Sequence, residues 1–224
     1  MVYELCGIPG CGKSTFSAAL FACKDSPKIL AKNELVDNKF MKQYKKVHRK
    51  YGNFLDTLVN QAELRALLID FAKAYTCSQN DSVNKMIYEK TLELSLALRM
   101  KGNRKIVLDE GFVQFISSIP YDNEVEADDN FFKMMSYLID VKNYRVIDCE
   151  IDFEVAANRI ISRNREGDRY LSADIDDIVR LLEVKKRNIN YIIELLFPRQ
   201  NIIKLNMMDG LDENIDKIKA WLEI

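Results

Sequence analysis

One segment constrains this chain more than any other: residues Gly7–Ser14, GIPGCGKS, fit the pattern GxxxxGK(S/T) without a mismatch. A short apolar run, residues 2–6, precedes the segment, and residues with helical spacing follow it, which is the context that the pattern requires. Glycines at this spacing let backbone N–H groups approach phosphate oxygens, and the following helix directs its unpaired N–H groups at them. The alternative is a glycine-rich turn that only carries an exposed lysine. Motif and context together favour a binding site for a nucleoside triphosphate.

The residues of this phosphate loop, residues 7–15, have distinct expected roles. Lys13 is predicted to extend over the β- and γ-phosphates as a mobile positive charge, and the Ser14 hydroxyl is predicted to ligate Mg²⁺. Glycine is expected at Gly10 and Gly12 because side chains there would block the close approach of the phosphates. The loop residues predicted to bind the nucleotide are Gly7, Gly10, Cys11, Gly12, Lys13, Ser14 and Thr15.

An acidic pair follows the apolar run KIVL at residues 105–108. In a parallel α/β sheet, an acidic residue at the carboxyl end of a strand beside the phosphate loop faces the metal ion of the bound nucleotide. Asp109 occupies that place and is predicted to help hold Mg²⁺, and Glu110 stands next to it. The alternative is that Asp109 only caps the following helix. Its combination with the phosphate loop favours the metal role.

Four arginines fall within the eleven-residue segment RIISRNREGDR at 159–169. Arg159 and Arg163 lie four residues apart and therefore share one face of a helix. Guanidinium groups match the oxygens of a phosphoryl group in transfer, so Arg159, Arg163 and Arg165 are predicted to stabilise it. Residues of about 159–170 are predicted to form a lid over the reacting phosphates. The alternative is a solvated helix end whose arginines pair with neighbouring acidic residues.

Composition excludes several classes of protein. The chain has 224 residues, of which 48% are apolar and 30% charged, a globular balance. Because 33 lysines and arginines nearly balance 34 aspartates and glutamates, we expect neither a nucleic-acid nor a membrane partner. No apolar run reaches the length of a membrane span, and the features of a secretory signal are missing at the first residues. Five cysteines without a CxxC pair, and one histidine, predict reduced thiols in a cytoplasmic protein without structural zinc.

Five short apolar runs separated by helical patterns predict an α/β fold with a parallel sheet and helices on both faces. No repeat or change in composition divides the chain, so residues 1–224 are predicted to form a single domain. The helical pattern of about 33–101 is too long for a minimal crossover and is predicted to form a helical layer facing the substrate. The five runs are residues 2–6, 28–31, 105–108, 144–151 and 201–205.

Three segments together resemble the thymidylate kinase and deoxynucleoside kinase branch of the P-loop kinases. They are the phosphate loop GIPGCGKST, the arginine segment RxxxRxREGDR and the late loop LNMMDG at 205–210. The resemblance implies a P-loop NTPase three-layer fold, with a five-stranded parallel sheet in the order 2-3-1-4-5 and an arginine-rich lid. It also implies that Arg159 lies against the adenine of ATP, and that Asn206 and Asp209 belong to a loop flanking the adenine from the other side.

The same resemblance implies which residues contact the phosphoryl acceptor. Glu34 stands where deoxynucleoside kinases carry the base for the attacking hydroxyl, and Gln61 is the candidate for the glutamine that reads the nucleobase. After the third strand the family has an arginine that touches the acceptor, whereas residues 109–111 of this chain read DEG. Arg65 and Arg99 are the candidates to replace that arginine.

The predicted function is transfer of the γ-phosphoryl group of ATP, with Mg²⁺, to a nucleoside or nucleoside monophosphate. Lys13 and the lid arginines assist the transfer, and either Glu34 or Glu110 is the base. One alternative is a kinase of a non-nucleoside compound such as a sugar or an antibiotic, which the missing arginine favours. Another is a nucleotide-binding regulatory or partner module that hydrolyses ATP slowly or not at all. The predicted partner is a small-molecule phosphoryl acceptor, and a homodimer is the alternative to a monomer.

Overall fold

The computed structural model describes residues 1–23, 29–31, 62–75, 105–120, 123–163, 170 and 173–222. In this part of the chain the strands are β1 (Val2–Cys6), β2 (Ile29–Ala31), β3 (Lys105–Leu108), β4 (Tyr144–Glu150) and β5 (Ile202–Asn206). The helices are α1 (Lys13–Ala22), α2 (Ala62–Tyr75), α3 (Phe112–Ile116), α4 (Asp129–Leu138), α5 (Phe153–Arg163), α6 (Ile175–Leu196) and α7 (Leu211–Leu222). Short 3₁₀ turns, Val141–Asn143 and Arg199–Asn201, precede β4 and β5.

The strands form a parallel sheet in which the neighbours run β2-β3-β1-β4-β5. The central strand β1 pairs with β3 and with β4, so that Val2 lies opposite both Ile106 and Tyr144. Every residue of β1 is buried, as expected for a strand covered on both sides. Because the strands run in parallel, their carboxyl ends meet at one edge, and the phosphate loop leaves β1 at that edge.

Alternate strand residues face two separate hydrophobic cores. On one face, Tyr3 and Leu5 of β1 belong to a core with α1, α5, α7 and the first half of α6. On the other face, Val2 and Cys6 belong to a core with α2, α3, α4 and the second half of α6. The predicted α/β class, a parallel sheet with helices on both faces, is confirmed.

The long helix α6 contributes to both cores. It begins after Asp174, whose side chain accepts a hydrogen bond from the N–H of Asp177 (2.8 Å), and it ends before Pro198. Its buried stripe is apolar except for Lys185 and Asn188. Buried polar groups need hydrogen-bond partners, so these two residues indicate specific contacts rather than general packing.

Two features of the described residues concern membranes and thiols. Within the described ranges, no helix combines the length and the apolar character needed to span a bilayer. The four described cysteines, Cys6, Cys11, Cys23 and Cys149, are free thiols. Cys77 lies outside the described residues.

Candidate nucleotide-binding site

The phosphate loop turns sharply between β1 and α1. Gly10 and Gly12 have φ angles of 81° and 97°, in the left-handed region where side chains cause strain. A Cβ on Gly10 would also lie 2.5 Å from the carbonyl oxygen of Ala156 in α5. Gly12 is the N-cap of α1, and its carbonyl accepts the first helical hydrogen bond from the N–H of Phe16 (3.0 Å). The loop therefore leads directly into a helix amino end, the arrangement that binds phosphate.

The Lys13 side chain lies on its own loop. Its Nζ donates to the carbonyl oxygens of Gly7 (2.7 Å) and Ile8 (3.1 Å) and lies 3.4 Å from Sγ of Cys11. These contacts hold one positive charge at the place where a phosphate tail is expected. A charged phosphate oxygen is a stronger acceptor for an ammonium than a neutral carbonyl. We therefore expect Lys13 to exchange these carbonyl contacts for phosphate oxygens.

A cleft of about 730 Å³ lies over the phosphate loop. Concave cavities with a few convergent polar groups are the usual sites for small ligands. The loop and the start of α1 form part of its surface. The rest comes from residues 110–120, α5, Tyr170, α6, the segment after β5 and the start of α7. Its lining residues are Pro9, Gly10, Cys11, Gly12, Lys13, Ser14, Thr15, Phe16, Glu110, Gln114, Ser118, Pro120, Arg159, Arg163, Tyr170, Lys185, Met207, Asp209, Leu211 and Asn214.

The structure brings most of the predicted phosphate-binding residues to this cleft. Of the seven loop residues predicted to bind the nucleotide, Gly7 is buried and does not line the cleft, while the other six do. Arg159 and Arg163 of α5 line the same cavity, and Nη1 of Arg159 donates to the carbonyl of Gly10 at 3.5 Å. Lys13 and these two arginines thus bring positive charge to one cavity. Such an arrangement attracts polyphosphate.

The loop after β5 is shaped by its own hydrogen bonds. The amide of Asn206 donates to Oδ1 of Asp209 (2.8 Å), and its carbonyl oxygen accepts from the N–H of Met208 (3.1 Å). The other oxygen of Asp209 accepts from Nζ of Lys217 (3.0 Å). Asp209 and Met207 line the cleft, whereas the contacts of Asn206 hold the loop in shape.

At the end of β3, Glu110 is the carboxylate that lines the cleft. Its side chain is exposed, while Asp109 is half-buried and its Oδ1 atom is shielded from solvent. Asp109, the predicted metal ligand, does not line the cleft, whereas the adjacent Glu110 does.

Five candidate residues have side chains that the structure does not describe. Four lie outside the described residues: Glu34, Gln61, Arg99 and Arg165. Arg65 lies on α2 without a described side chain. The predicted helical layer is described only for α2. The predicted lid is described only for the end of α5 and for Tyr170, which lines the cleft.

Sequence reasoning misses the buried polar residues Gln114 and Lys185, which both line the cleft. Oε1 of Gln114, on α3, accepts a hydrogen bond from the N–H of Gly7 at 3.0 Å. Nζ of Lys185, on α6, donates to the carbonyl of Gln114 (3.2 Å) and to Oγ of Ser117 (2.9 Å). A signal was available for each, because each polar residue interrupts an apolar pattern: FVQFI in α3 and the buried stripe of α6.

A buried carboxyl group on β1 supports α3. Glu4 is fully buried, and its oxygens accept hydrogen bonds from the N–H groups of Val113 (3.1 Å) and Gln114 (2.6 Å) and from the hydroxyl of Tyr144 (2.5 Å). Burial raises the pKa of Glu4 above its ordinary value of 4.5, and these hydrogen bonds partly oppose the shift. Negative charge at the amino end of α3 also complements the helix dipole.

We expect the free energy of unfolding of the wild type, relative to that of Glu4→Gln, to fall as the pH rises above 4.5. A raised pKa in the folded state means that the folded protein holds this proton more tightly than the unfolded chain. The stabilisation from this proton is complete below the unfolded pKa and is lost as the pH rises through the folded pKa. Glutamine does not titrate, so urea unfolding of both proteins from about pH 4 to about pH 8 isolates the effect. A difference that stays constant or grows with pH would show that Glu4 has no raised pKa.

Three solved structures of a deoxyadenosine kinase from M. mycoides are similar to this chain. The structure with the products dCMP and a flexible dCDP bound has a TM-score of 0.52 at 18% identity, and covers 100% of this chain and 99% of its own. For the structure with dATP bound, the TM-score is 0.52 at 18% identity, and the alignment covers 100% of both chains. For the structure with dCTP bound, the TM-score is 0.50 at 16% identity, and the alignment covers 100% of this chain and 99% of the kinase chain. No protein-family model and no curated protein matches this sequence.

These similarities establish the fold. Each alignment runs over the whole of this chain, so the likeness includes the sheet and the helices around it. The resemblance to deoxynucleoside kinases that the three motifs indicate is therefore confirmed at the level of the fold. A shared fold hosts many reactions, so the reaction depends on the chemistry of the cleft.

Proposed function

We propose that this protein is an enzyme that transfers the γ-phosphoryl group of ATP, with Mg²⁺, to a hydroxyl group of a nucleoside-type acceptor. The cleft carries this proposal, because the phosphate loop, Lys13 and two arginines of α5 surround one cavity. Phosphoryl transfer depends on positioning the reactants and stabilising negative charge. Backbone N–H groups and three cations are suited to both tasks. The whole-chain likeness to a deoxyadenosine kinase supports a nucleoside-type acceptor.

In this proposal Lys13 and the arginines have different roles. The phosphate loop binds the β- and γ-phosphates, and Lys13 moves from its loop carbonyls to their oxygens. Arg159 and Arg163 of α5, with Arg165 of the lid, stabilise charge on the transferring group, because a planar guanidinium binds two oxygens at once. The adenine lies between Arg159 and the loop that contains residues 206–210.

The cleft offers oxygen ligands of the kind that Mg²⁺ prefers. The Ser14 hydroxyl and the Glu110 carboxylate line it, and Asp109 lies beside Glu110. Mg²⁺ commonly takes one or two protein oxygens and completes its shell with water and substrate phosphates. These residues therefore fit the ion, with Ser14 and an acidic residue after β3 holding it. When bound, the ion neutralises negative charge on the phosphates.

We place the acceptor at the β3 side of the cleft. In the sheet, β3 and β5 lie on opposite sides of β1, so the loop after β5 and the residues after β3 flank the phosphate loop from opposite sides. With the adenine near β5, the acceptor occupies the side lined by Glu110, Gln114 and Ser118. Glu34 is the proposed base for the attacking hydroxyl, and Glu110 is the alternative. Gln61 and Arg65 are proposed to contact the acceptor.

Glu110 favours a second candidate acceptor. It follows Asp109 at the position where the family that the chain resembles has an arginine, and here a carboxylate lines the cleft. A carboxylate repels the phosphate of a nucleoside monophosphate. An uncharged or basic hydroxyl compound, such as a sugar or an antibiotic, is therefore the second candidate.

The organisation of the chain is part of the same proposal. Residues 1–224 form one P-loop kinase domain, with a helical substrate layer of about 33–101 and an arginine-rich lid of about 159–170. The protein works in the cytoplasm, as a monomer or a homodimer. Free thiols among the described cysteines support a reducing compartment.

A phosphorylation assay with separate acceptor pools tests the function. The protein is incubated with radiolabelled ATP and Mg²⁺, and with nucleosides, nucleoside monophosphates, sugars or aminoglycosides in separate reactions. We expect the label in the nucleoside pool, and its loss when Mg²⁺ is chelated. Label in the sugar or aminoglycoside pool identifies the second candidate. Slow release of phosphate that no pool accelerates would contradict a kinase and favour a regulatory module.

A further inference from the structure

Lys185 is a buried cation that the proposed reaction does not use. It lies on α6, lines the cleft and is only 7% exposed. Burying an ammonium costs free energy unless hydrogen bonds and favourable charges compensate for the lost water. Apart from Asn188, its neighbours on the buried stripe, such as Leu182 and Ile189, are apolar, so packing alone would favour an apolar residue here. The charge therefore requires a specific explanation.

The described hydrogen bonds of Lys185 go to one short segment. Its Nζ donates to the carbonyl of Gln114 (3.2 Å), to Oγ of Ser117 (2.9 Å) and to Oγ of Ser118. Both serine hydroxyls also donate to the carbonyl of Gln114, at 3.1 and 2.6 Å. These oxygens form the carboxyl end of α3 and the turn after it, where a positive charge complements the helix dipole. Lys185 thus holds the carboxyl end of α3 in place.

Glu4 holds the other end of α3 with the opposite kind of group. Its carboxyl oxygens accept from the N–H groups of Val113 and Gln114, as described above. α3 has only five residues, and a helix of that length is not stable through its own hydrogen bonds. Its position therefore depends on tertiary contacts: its apolar side chains pack in the core, and Glu4 on β1 and Lys185 on α6 anchor its two ends.

Between these anchors, Gln114 contacts the phosphate loop. Its Oε1 accepts the hydrogen bond from the N–H of Gly7 (3.0 Å), in a buried position. Gly7 is the first residue of the loop, and its carbonyl accepts from Nζ of Lys13 (2.7 Å). We therefore propose that Lys185 is a positioning residue for the phosphate loop, which orients α3 so that Gln114 holds Gly7. This positioning role does not depend on the proposed function. Only its expected effect on the affinity for ATP rests on that function.

Amide hydrogen exchange of the nucleotide-free protein, followed residue by residue with NMR, tests the proposal. Lys185→Met removes the charge but retains an apolar stem, and we expect the Gly7 amide to exchange about tenfold faster. Gln114→Leu removes the acceptor itself and should have at least the same effect. The double variant should exchange no faster than Gln114→Leu alone, because the two residues act in series.

Arg187→Met is the matched control for charge removal on the same helix. Arg187 is exposed and pairs with Glu124 at the surface, so its loss should leave Gly7 unchanged. Lys185→Arg retains the charge and should restore most of the protection. The proposal is overturned if Lys185→Met leaves the exchange rate of the Gly7 amide unchanged. It is also overturned if amide exchange becomes faster by the same factor along all of β1, because that result indicates general destabilisation. If Lys185→Met does not fold, Lys185→Gln is judged by the same criteria.

Titration with a fluorescent ATP analogue separates this inference from the proposed function. We expect Lys185→Met and Gln114→Leu to weaken binding about tenfold relative to the wild type. If the wild type binds no ATP while Lys185→Met still accelerates exchange at Gly7, the positioning role stands and the proposed function is wrong. If the wild type binds ATP and Gly7 exchange is unaffected by Lys185→Met, the positioning role is wrong and the proposed function stands.

Discussion

Replacing Lys13 by alanine should lower kcat for phosphoryl transfer by about 100-fold or more. In the proposed reaction its ammonium lies against the β- and γ-phosphates, where negative charge increases in the transition state. The side chain already lies in the loop, 2.7 Å from the carbonyl of Gly7, and Lys13 is the only lysine in residues 7–15. The measurement is kcat at saturating ATP and Mg²⁺, with the acceptor identified from the labelled pools.

Lys142 provides a matched control for the Lys13 variant. It is exposed in the 3₁₀ turn before β4, at the edge of the parallel sheet opposite the phosphate loop. Lys142→Ala removes the same charge and should change kcat by no more than about twofold. Thermal unfolding of both variants shows whether either has lost its fold. If Lys13→Ala keeps kcat within a few-fold of the wild type, the role proposed for this lysine is wrong.

Gly10→Ala should lower the free energy of unfolding by about 3 kcal/mol and prevent ATP binding. Alanine at a φ of 81° costs about 1–2 kcal/mol in backbone strain. The new methyl group would also lie 2.5 Å from the carbonyl oxygen of Ala156, and such overpacking costs about 1–3 kcal/mol. Because α5 carries both Ala156 and Arg159, relief of the clash would move the arginine from the loop. Urea unfolding and titration with a fluorescent ATP analogue measure the two effects.

Gly12→Ala separates backbone strain from the packing of Gly10 against α5. Its φ of 97° is also left-handed, but the atoms nearest to a new Cβ are Cε of Met207 at 3.7 Å and Nη1 of Arg159 at 3.8 Å. Both atoms end flexible side chains, so only the strain of about 1–2 kcal/mol is expected. Equal losses of stability in the two variants would show that the contact between the loop and α5 is unimportant.

The strands of this protein were predictable because helices cover both faces of the sheet. A strand of this kind appears in the sequence as a mainly apolar run, and KIVL at 105–108 coincides with β3. The predicted run 144–151 is one residue longer than β4, and the predicted run 201–205 begins one residue before β5. Apolar character does not define where a strand ends, because the hydrogen-bonded pairing of neighbouring strands decides it. Glu150 pairs with Asn206, and β4 and β5 both end at that pair.

The candidate site was predictable in part. The phosphate loop and the arginines of α5 follow from the spacing of neighbouring residues, and both line the cleft. Glu4 lies in the strand run VYELC, and that run does not show that its carboxyl group supports a helix that begins at residue 112. Gln114 and Lys185 likewise interrupt apolar patterns without indicating their partners. Each of these groups has a partner more than sixty positions away along the chain.

By itself, the sequence determined the turn that suits a phosphate tail, the strand before it and the helix after it. Consecutive residues decide those features, because glycine spacing and apolar periodicity act on local backbone geometry. Tertiary structure alone decided that Gln114 meets Gly7, and that Lys185 and Glu4 meet opposite ends of α3. A buried polar group is stable only beside suitable partners, and only the folded chain brings those partners together.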